Sequence, residues 1–354
     1  MRRVRLNRAL VGVPVARTII SLDGIVLLSA GSTLTEEIIT NLGNYKITEI
    51  YIDDDYSKGI SVPETVKEEI ITDVKAQIKR IMSMPSIKIS VDSEKIIGIV
   101  NRLVASILEN DFIIVSLSDI RSIDDYTYSH SVNVCIFSLI ISLSLGIKGK
   151  KLRDIGVGAL LHDIGKVMVS EDILKKPSAL TMEEYAEVQK HTVYGYDILK
   201  NSPGFHPTVR MIALTHHERI DGSGYPYNLK NNDLSMPSRI VAAADVFDAL
   251  TTDRVYRKKM LPNEVMEYMA SLAGKYFDKA VINALISHIA NFPVGTAVIL
   301  NSGEKGLVIK NNPRMPNRPV IRVVLDEQGQ AVKKSKEVDL SKRLEYRVID
   351  MWDI

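Results

Sequence analysis

Residues 216–226 read HHERIDGSGYP and join two adjacent histidines to an acidic, glycine-rich turn. The chain contains only seven histidines, so a neighbouring pair is a marked local concentration. Further imidazole and carboxylate side chains occur on both sides of this stretch. The clustered set is His130, His162, Asp163, His191, His216, His217 and Asp245. Neutral imidazole and carboxylate bind divalent iron, manganese and zinc, so this set predicts a metal centre.

These side chains are spread over segments with the patterns of separate helices. The predicted helices lie near 124–145, 148–162, 181–200, 207–217, 237–252, 262–273 and 278–290. Only a helical bundle that converges on one point would bring the set together. A carboxylate between imidazoles can bridge two metals, and Asp163 next to His162 is placed for that role. Two-metal centres activate water and hold the oxygens of a displacement at phosphorus, which makes phosphoester hydrolysis the first reaction class to test.

The regions around the predicted bundle have different patterns. Residues 1–60 predict a small α+β module, with strands at 11–20, 25–28 and 49–53 and a helix capped by Thr33 and Glu36. Residues 61–115 predict two amphipathic helices that form a linker, a dimerising pair or the first layer of the next domain. The bundle is expected over 116–292 and a β-rich tail over 293–354. The predicted fold class is therefore mainly α, with an N-terminal α+β module and a β-rich C-terminal tail.

The bulk composition argues against several classes of protein. A net charge of +2 over 354 residues does not demand a nucleic-acid or lipid partner. Arg2, Arg3, Arg5 and Arg8 are an exception at the amino end, and we interpret them as a solvated edge. The apolar stretch 134–145 is shorter than the ~20 residues that cross a bilayer, so we expect a buried helix and no membrane span.

The single cysteine and the start of the chain bear on the compartment. Cys135 lies in an apolar run, has no partner for a disulfide within the chain and is expected to be a core thiol. Pro14 and Arg17 interrupt the early apolar stretch, so no secretory signal is predicted. Both observations favour a cytoplasmic protein.

The motif HDIGK at 162–166, with HHE at 216–218 and DGSGYP at 221–226, resembles the HD-GYP family. The resemblance covers roughly residues 120–290. This family belongs to the HD superfamily of metal-dependent phosphohydrolases, and its characteristic substrate is cyclic di-GMP. The resemblance implies an HD-type helical bundle and a phosphodiesterase that opens cyclic di-GMP to pGpG and often continues to GMP.

The resemblance also implies roles for individual residues. His130, His162, Asp163 and Asp245 match the superfamily metal ligands, whereas His191, His216 and His217 resemble the ligands of a second metal. Lys166, Arg254 and Arg257 match positions that contact substrate phosphate, and Lys166 with Asp163 would be catalytic. The family loop is represented by Asp221, Gly222, Gly224, Tyr225 and Pro226.

Metal number is predicted from a departure from the family pattern. Some members hold a third metal with a glutamate one helical turn before the first histidine, and here that position is Tyr126. A phenol is a poor ligand for such an ion, so we predict two divalent ions, with iron or manganese preferred.

Several alternatives remain open at this level. The substrate could be another cyclic dinucleotide such as cyclic GMP-AMP, or the chain could be a non-catalytic receptor. The family loop could contact substrate or a partner such as a diguanylate cyclase domain, and a homodimer is also open. Glu218 is expected to orient a metal-binding imidazole, whereas His206 and His288 are expected to be structural. Arg314 and Arg318 have the spacing of a cyclic-dinucleotide-binding barrel without its downstream motif, which favours a structural tail.

Overall fold

The structure is a computed structural model of the 354-residue chain, and it describes residues 1–21, 25–45, 47–83, 91–110, 126–252, 260, 262–313 and 315–352. The chain forms two compact units. The first unit comprises 1–65, 112–124 and 287–354, and the second comprises 66–111 and 125–286.

The second unit is helical. Its helices are α2 (Glu68–Met82), α3 (Ser93–Leu108), α4 (Tyr126–Ser144), α5 (Gly149–Leu160), α6 (Glu171–Leu174), α7 (Met182–Gln189), α8 (His191–Lys200), α9 (Pro207–Thr215), α10 (Met236–Thr251), α11 (Pro262–Leu272) and α12 (Lys279–Ile286). A short 3₁₀ helix over Ile164–Met168 follows α5. The single helix predicted over 181–200 is wrong, because the chain breaks between Gln189 and His191 into α7 and α8.

Local sequence explains where several of these helices begin. Thr181 and Glu184 form a capping box at the start of α7, as the sequence predicts. Asp92 caps α3 by accepting a hydrogen bond from the Lys95 backbone N–H. His206 caps α9 in the same way through Nδ1, which confirms its expected structural role.

The core of the second unit is built around α4, which is buried along most of its described length. It packs against α2, α5 and α10. Phe137 of α4 meets Phe247 of α10 edge to face, with ring centroids 5.0 Å apart. Cys135 is fully buried and donates to the Gly156 carbonyl, so the expected core thiol is confirmed. Among the described residues, no helix has the length and apolar character needed to cross a membrane.

The amino-terminal part of the first unit contains β1 (Arg2–Arg5), β2 (Ile19–Ile20), β3 (Val26–Leu28), α1 (Glu36–Asn44) and β4 (Glu49–Ile52). β1 pairs antiparallel with β4, and β2 with β3. Arg2 is buried and forms an ion pair with Asp54, so the expectation that it belongs to a solvated edge is wrong. The long strand predicted at 11–20 is reduced to β2. Thr35, not Thr33, caps α1.

The carboxy-terminal part of the first unit is a five-stranded antiparallel sheet with the order β8-β7-β6-β5-β9. Its strands are β5 (Ala297–Leu300), β6 (Lys305–Asn312), β7 (Met315–Leu325), β8 (Ala331–Asp339) and β9 (Val348–Met351). The expected β-rich tail is confirmed. Arg318 donates to the carbonyl oxygens of Leu340, Leu344 and Tyr346, which supports its structural role. Arg314 lies outside the described residues.

Candidate metal centre

The seven predicted ligands meet at one place in the second unit. His130 lies on α4, and His162 and Asp163 follow the end of α5. His191 begins α8, His216 and His217 follow α9, and Asp245 lies on α10. The short 3₁₀ helix brings Asp163 close to α8, because Gly165 has no side chain to separate it from the His191 carbonyl.

Asp163 lies at the centre of the cluster, and its two carboxylate oxygens face different histidines. Oδ1 is 3.4 Å from His191 Nε2 and 3.9 Å from His216 Nε2. Oδ2 is 3.3 Å from His162 Nε2 and 3.8 Å from His130 Nε2. Asp163 is therefore arranged as a carboxylate that can connect two ligand groups.

Hydrogen bonds on the far side of each ring orient three of these histidines. Nδ1 of His162 lies 2.7 Å from the Ala159 carbonyl, Nδ1 of His191 lies 2.6 Å from Val188 O, and Nδ1 of His216 lies 2.9 Å from Ala213 O. A carbonyl only accepts, so Nδ1 carries the proton in each ring. Each Nε2 therefore presents a lone pair to the centre, as metal-binding histidines do.

These lone pairs are poorly satisfied by the protein alone. Nε2 of His191 and Nε2 of His216 are 3.3 Å apart, and neither has a proton to share. Nε2 of His162 and Oδ1 of Asp163 are buried without a hydrogen-bond partner. Buried acceptors without partners cost free energy, and a cation between them would remove that cost. The donor set therefore fits divalent metal ions.

The potential ligands fall into two groups, and within each group the ligand atoms lie within 4.8 Å of one another. One group is Asp163, His191, His216 and His217, and the other is His130, His162 and Asp245. Asp245 also reaches across, since Oδ1 is 3.1 Å from His130 Nε2 and Oδ2 is 3.6 Å from His217 Nδ1. Two carboxylates thus connect two groups of imidazoles.

His130 has a different environment from the other ligands. Its Nδ1 is 2.7 Å from Oδ2 of Asp248, whose Oδ1 accepts from the Asn133 amide. Burial opposes a charge on His130, but the hydrogen bonds that its ring donates to the carboxylates of Asp245 and Asp248 outweigh burial and raise its pKa to about 9. Sequence reasoning missed Asp248. The sequence signal that could have revealed Asp248 is its position three residues after Asp245 on α10, because residues spaced by three lie on the same face of a helix.

His191, His216 and His217 stay neutral, as metal ligands must. Burial lowers the pKa of His191 to about 4, and it holds the pKa of His216 and His217 well below the usual range. Burial alone would raise the pKa of Asp163, but Lys166 and His162 outweigh it and keep that carboxyl ionised.

Of the three residues predicted to contact substrate phosphate, the structure describes Lys166. Lys166 Nζ is 2.5 Å from Asp163 Oδ2, and the lysine side chain is 28% exposed. It therefore lies beside the predicted ligands and is partly exposed to solvent. Arg254 and Arg257 lie outside the described residues, as does the side chain of Tyr126.

The loop after α9 folds back over the metal centre. Both oxygens of buried Glu218 accept backbone hydrogen bonds, from Tyr227 at 2.7 Å and Leu229 at 3.0 Å. The expectation that Glu218 orients a metal-binding imidazole is therefore wrong, because its carboxylate holds the loop. Tyr225 covers His217, with ring centroids 4.6 Å apart. Gly224 allows this approach, since a Cβ there would lie 2.5 Å from His217 O.

Comparison with known proteins agrees with this site. Residues 122–281 match the HD domain family, and residues 297–354 match a KOW domain associated with the HD domain. Residues 122–281 of this chain are therefore an HD domain. The resemblance noted from the sequence is confirmed, and the HD domain contains all seven predicted ligands.

Curated relatives carry two kinds of name. A cyclic di-GMP phosphodiesterase of Pseudomonas aeruginosa is 34% identical over 72% of this chain and 61% of its own length. A 3'3'-cGAMP-specific phosphodiesterase of Vibrio cholerae is 39% identical over 51% of this chain and 39% of its own. The chain thus spans less than two thirds of the length of these two relatives.

A solved structure was also compared. An HDG"Y"P protein from Bdellovibrio bacteriovorus superposes with a TM-score of 0.48 and 18% identity, covering 80% of this chain and 97% of that chain.

Proposed function

We propose that this chain is a metal-dependent phosphodiesterase that hydrolyses cyclic di-GMP to pGpG or GMP. The observation that carries the proposal is the position of Asp163, whose two oxygens face different groups of inward-pointing imidazoles. That arrangement suits two divalent ions close together, which catalyse displacement at phosphorus. The name of the Pseudomonas relative supports cyclic di-GMP as the substrate.

The proposed ligands are divided between the two ions. His130, His162 and Asp245 would hold one, whereas His191, His216 and His217 would hold the other, with Asp163 between them. Bound there, the ions would lower the pKa of a water molecule and polarise the phosphodiester. We propose iron or manganese, because imidazole and carboxylate together suit both.

Cationic side chains of the protein would position the substrate and stabilise its negative charge. Lys166 lies next to Asp163 and is partly exposed, so its ammonium can reach a phosphate oxygen on the open side. A cation there would stabilise negative charge that develops on the phosphoryl group. Arg254 and Arg257 are proposed as further phosphate contacts, since a guanidinium forks onto two oxygens.

The second candidate keeps the chemistry and changes the nucleotide to cyclic GMP-AMP. The Vibrio relative, whose name specifies that substrate, is the observation that favours it. A non-catalytic receptor is the third candidate, and the full ligand set argues against it, because a receptor has no need of every ligand. A cytoplasmic location, a homodimer and a diguanylate cyclase partner at the family loop are proposed as the setting of the activity.

A turnover assay tests the proposal. The full chain, loaded with manganese or anaerobically with iron, is incubated with cyclic di-GMP and with cyclic GMP-AMP, separately and in competition, and products are separated by chromatography. We expect cyclic di-GMP to be consumed faster, and His162→Ala and Asp163→Ala to lower turnover by at least about 100-fold, because even a residue behind a ligand costs 10–100-fold.

The matched control is His206→Ala, because His206 is not one of the predicted ligands and its side chain is largely exposed. Its turnover should equal that of the wild type. Preferential cleavage of cyclic GMP-AMP would select the second candidate. Tight nucleotide binding without turnover under both metals would select the receptor.

A further inference from the structure

An exposed aromatic ring lies beside the group of predicted ligands that contains His191 and His217. Tyr185 of α7 is 51% exposed, and its ring meets the ring of Tyr225 at a centroid distance of 6.5 Å and an interplanar angle of 77°. Tyr225 in turn lies against the ring of His217 at 4.6 Å, with the two planes tilted by 30°. Three rings therefore lead outward from a predicted metal ligand, and Tyr185 is the most exposed of them.

A second contact fixes α7 to the same group of ligands. The Val188 carbonyl, in the last turn of α7, accepts a hydrogen bond from Nδ1 of His191 at 2.6 Å. Tyr185 lies three residues before Val188, and residues at that spacing are neighbours on one face of a helix. Tyr185 is thus held beside the metal centre from two sides, through the main chain at Val188 and through the ring of Tyr225.

The start of α7 is also firmly held. Thr181 and Glu184 form its capping box, and both oxygens of Glu184 accept hydrogen bonds from Lys176 Nζ, at 2.7 Å and 2.6 Å. A ring that is already fixed loses little conformational freedom when a ligand packs on it. Tyr185 is therefore exposed to solvent and yet carried by a helix that is tied down at both ends.

The chemistry of a nucleotide matches this arrangement. Its phosphate would bind at the metal ions, next to the partly exposed side chain of Lys166. Its base is a flat aromatic surface that the sugar carries away from the phosphate. Aromatic side chains bind such bases by stacking, and they do so for any base, because every base has a π face.

We propose that Tyr185 is a substrate-binding residue, whose exposed ring stacks against a purine base of the nucleotide while the phosphate of that nucleotide lies at the metal centre. The inference rests on the proposed function, because it starts from a phosphate at the metal ions. It does not depend on which cyclic dinucleotide is preferred, since cyclic di-GMP and cyclic GMP-AMP both carry purine bases. Tyr185 would favour nucleotides over smaller phosphoesters without choosing between guanine and adenine.

A simpler role for Tyr185 would be to shield the ring of Tyr225 from water, and single aromatic side chains are normal on protein surfaces. The two roles differ in what the substitutions do to a bound base. Tyr185→Ala removes the ring, whereas Tyr185→Phe keeps it. Tyr268→Ala is the matched control, because Tyr268 is 46% exposed and lies on a different helix, α11.

The experiment compares GMP with ribose 5-phosphate, which has the same sugar and phosphate but no base. Binding of each to the manganese-loaded full chain is measured by calorimetry. We expect the wild type to bind GMP at least about fivefold more tightly than ribose 5-phosphate. Tyr185→Ala should remove that difference by weakening GMP alone. Tyr185→Phe should retain most of the difference, and Tyr268→Ala should retain all of it.

Turnover of cyclic di-GMP gives a second readout. Tyr185→Ala should raise KM at least about fivefold and leave kcat nearly unchanged, because stacking stabilises the bound substrate and the transition state alike. A loss in kcat alone would contradict a role in holding the base.

The outcomes separate this inference from the proposed function. Equal weakening of GMP and ribose 5-phosphate by Tyr185→Ala would overturn the stacking, as would an unchanged affinity for GMP. A loss confined to GMP, in a chain that hydrolyses no cyclic dinucleotide, would support the role of Tyr185 and refute the proposed function. A manganese-loaded wild type that binds neither ligand would overturn both.

Discussion

At the scale of single residues, four histidines of the candidate metal centre are oriented by a second contact on the far side of the ring. Backbone carbonyls hold Nδ1 of His162, His191 and His216, whereas a carboxylate holds Nδ1 of His130. These contacts choose the tautomer before any metal arrives. Preorganised ligands lose little freedom on binding, which favours a tightly held ion.

Glu218 is the residue whose role differs most from expectation. Replacing it by glutamine puts an amide N–H₂ group where a backbone N–H now donates, either at Tyr227 or at Leu229. We expect Glu218→Gln to lower the free energy of unfolding by about 1–3 kcal/mol, the cost of an unsatisfied buried group. Turnover should fall while metal content stays close to that of the wild type, because Glu218 holds the loop and not the ions.

Urea denaturation, metal analysis and turnover check this prediction. Glu171→Gln is the control, since Glu171 forms an exposed pair with Lys175 that contributes little. Loss of metal from Glu218→Gln with the loop unchanged would mean that Glu218 supports the ligands after all.

At the scale of elements, the close contact between the short 3₁₀ helix and α8 sets the distance between Asp163 and His191. A Cβ on Gly165 would overlap the His191 carbonyl and the Gly195 backbone nitrogen. We expect Gly165→Ala to push these elements apart, and to lower both metal content and turnover by at least about tenfold, since ligand geometry tolerates little displacement.

Gly98→Ala is the matched control for that substitution. Gly98 is an exposed glycine within α3 and nothing lies within 4 Å of an added Cβ. Alanine there should be neutral or stabilise the chain by up to about 1 kcal/mol. Gly165→Ala that binds metal as the Gly98→Ala chain does would contradict the account of this contact.

The same elements explain what the sequence could and could not predict. Helical periodicity located α4, α5 and α10, and the histidine motifs predicted that their ends meet, so all seven predicted ligands could be named before their grouping was seen. The break between α7 and α8 was missed because His191 has helical neighbours on both sides. β1 was missed because an arginine-rich segment is atypical of a strand, and its pairing with β4 depends on distant residues.

Contacts between distant residues account for the remaining omissions. Glu218 was assigned to an imidazole, since the sequence does not say that the loop returns to place Tyr227 and Leu229 beside it. Sequence reasoning also missed the burial of Lys75, which lies on the inner face of α2 and is 8% exposed. Its burial depends on how α2 packs against α4, which periodicity alone does not specify.

At the scale of the whole molecule, the cluster makes the stability of the metal-free chain depend on pH in two opposite ways. His130 has a pKa raised to about 9 from 6.5, so its contribution is full below ~6.5 and is lost as pH rises through 9. His191, His216 and His217 have lowered pKa values, so their contribution is full above ~6.5 and is lost as pH falls below that value.

We therefore expect the metal-free chain to be most stable near pH 6.5–7, the range between these two groups of pKa values. Urea unfolding from pH 4.5 to 9.5 measures the profile. The decline between pH 6.5 and 8 should be on the order of 2 kcal/mol, and His130→Gln should abolish it. A wild-type profile that is flat from pH 6.5 to 8 would contradict the assigned environment of His130.

The central claim is a two-metal centre with Asp163 between the ions, and an anaerobic metal titration coupled to turnover tests it most directly. Metal-free chain receives increasing iron or manganese, and bound metal and cyclic di-GMP hydrolysis are measured on the same samples. The account predicts that binding saturates at two ions per chain and that turnover rises with the second. Full activity with one ion, or activity that requires a third, would contradict it.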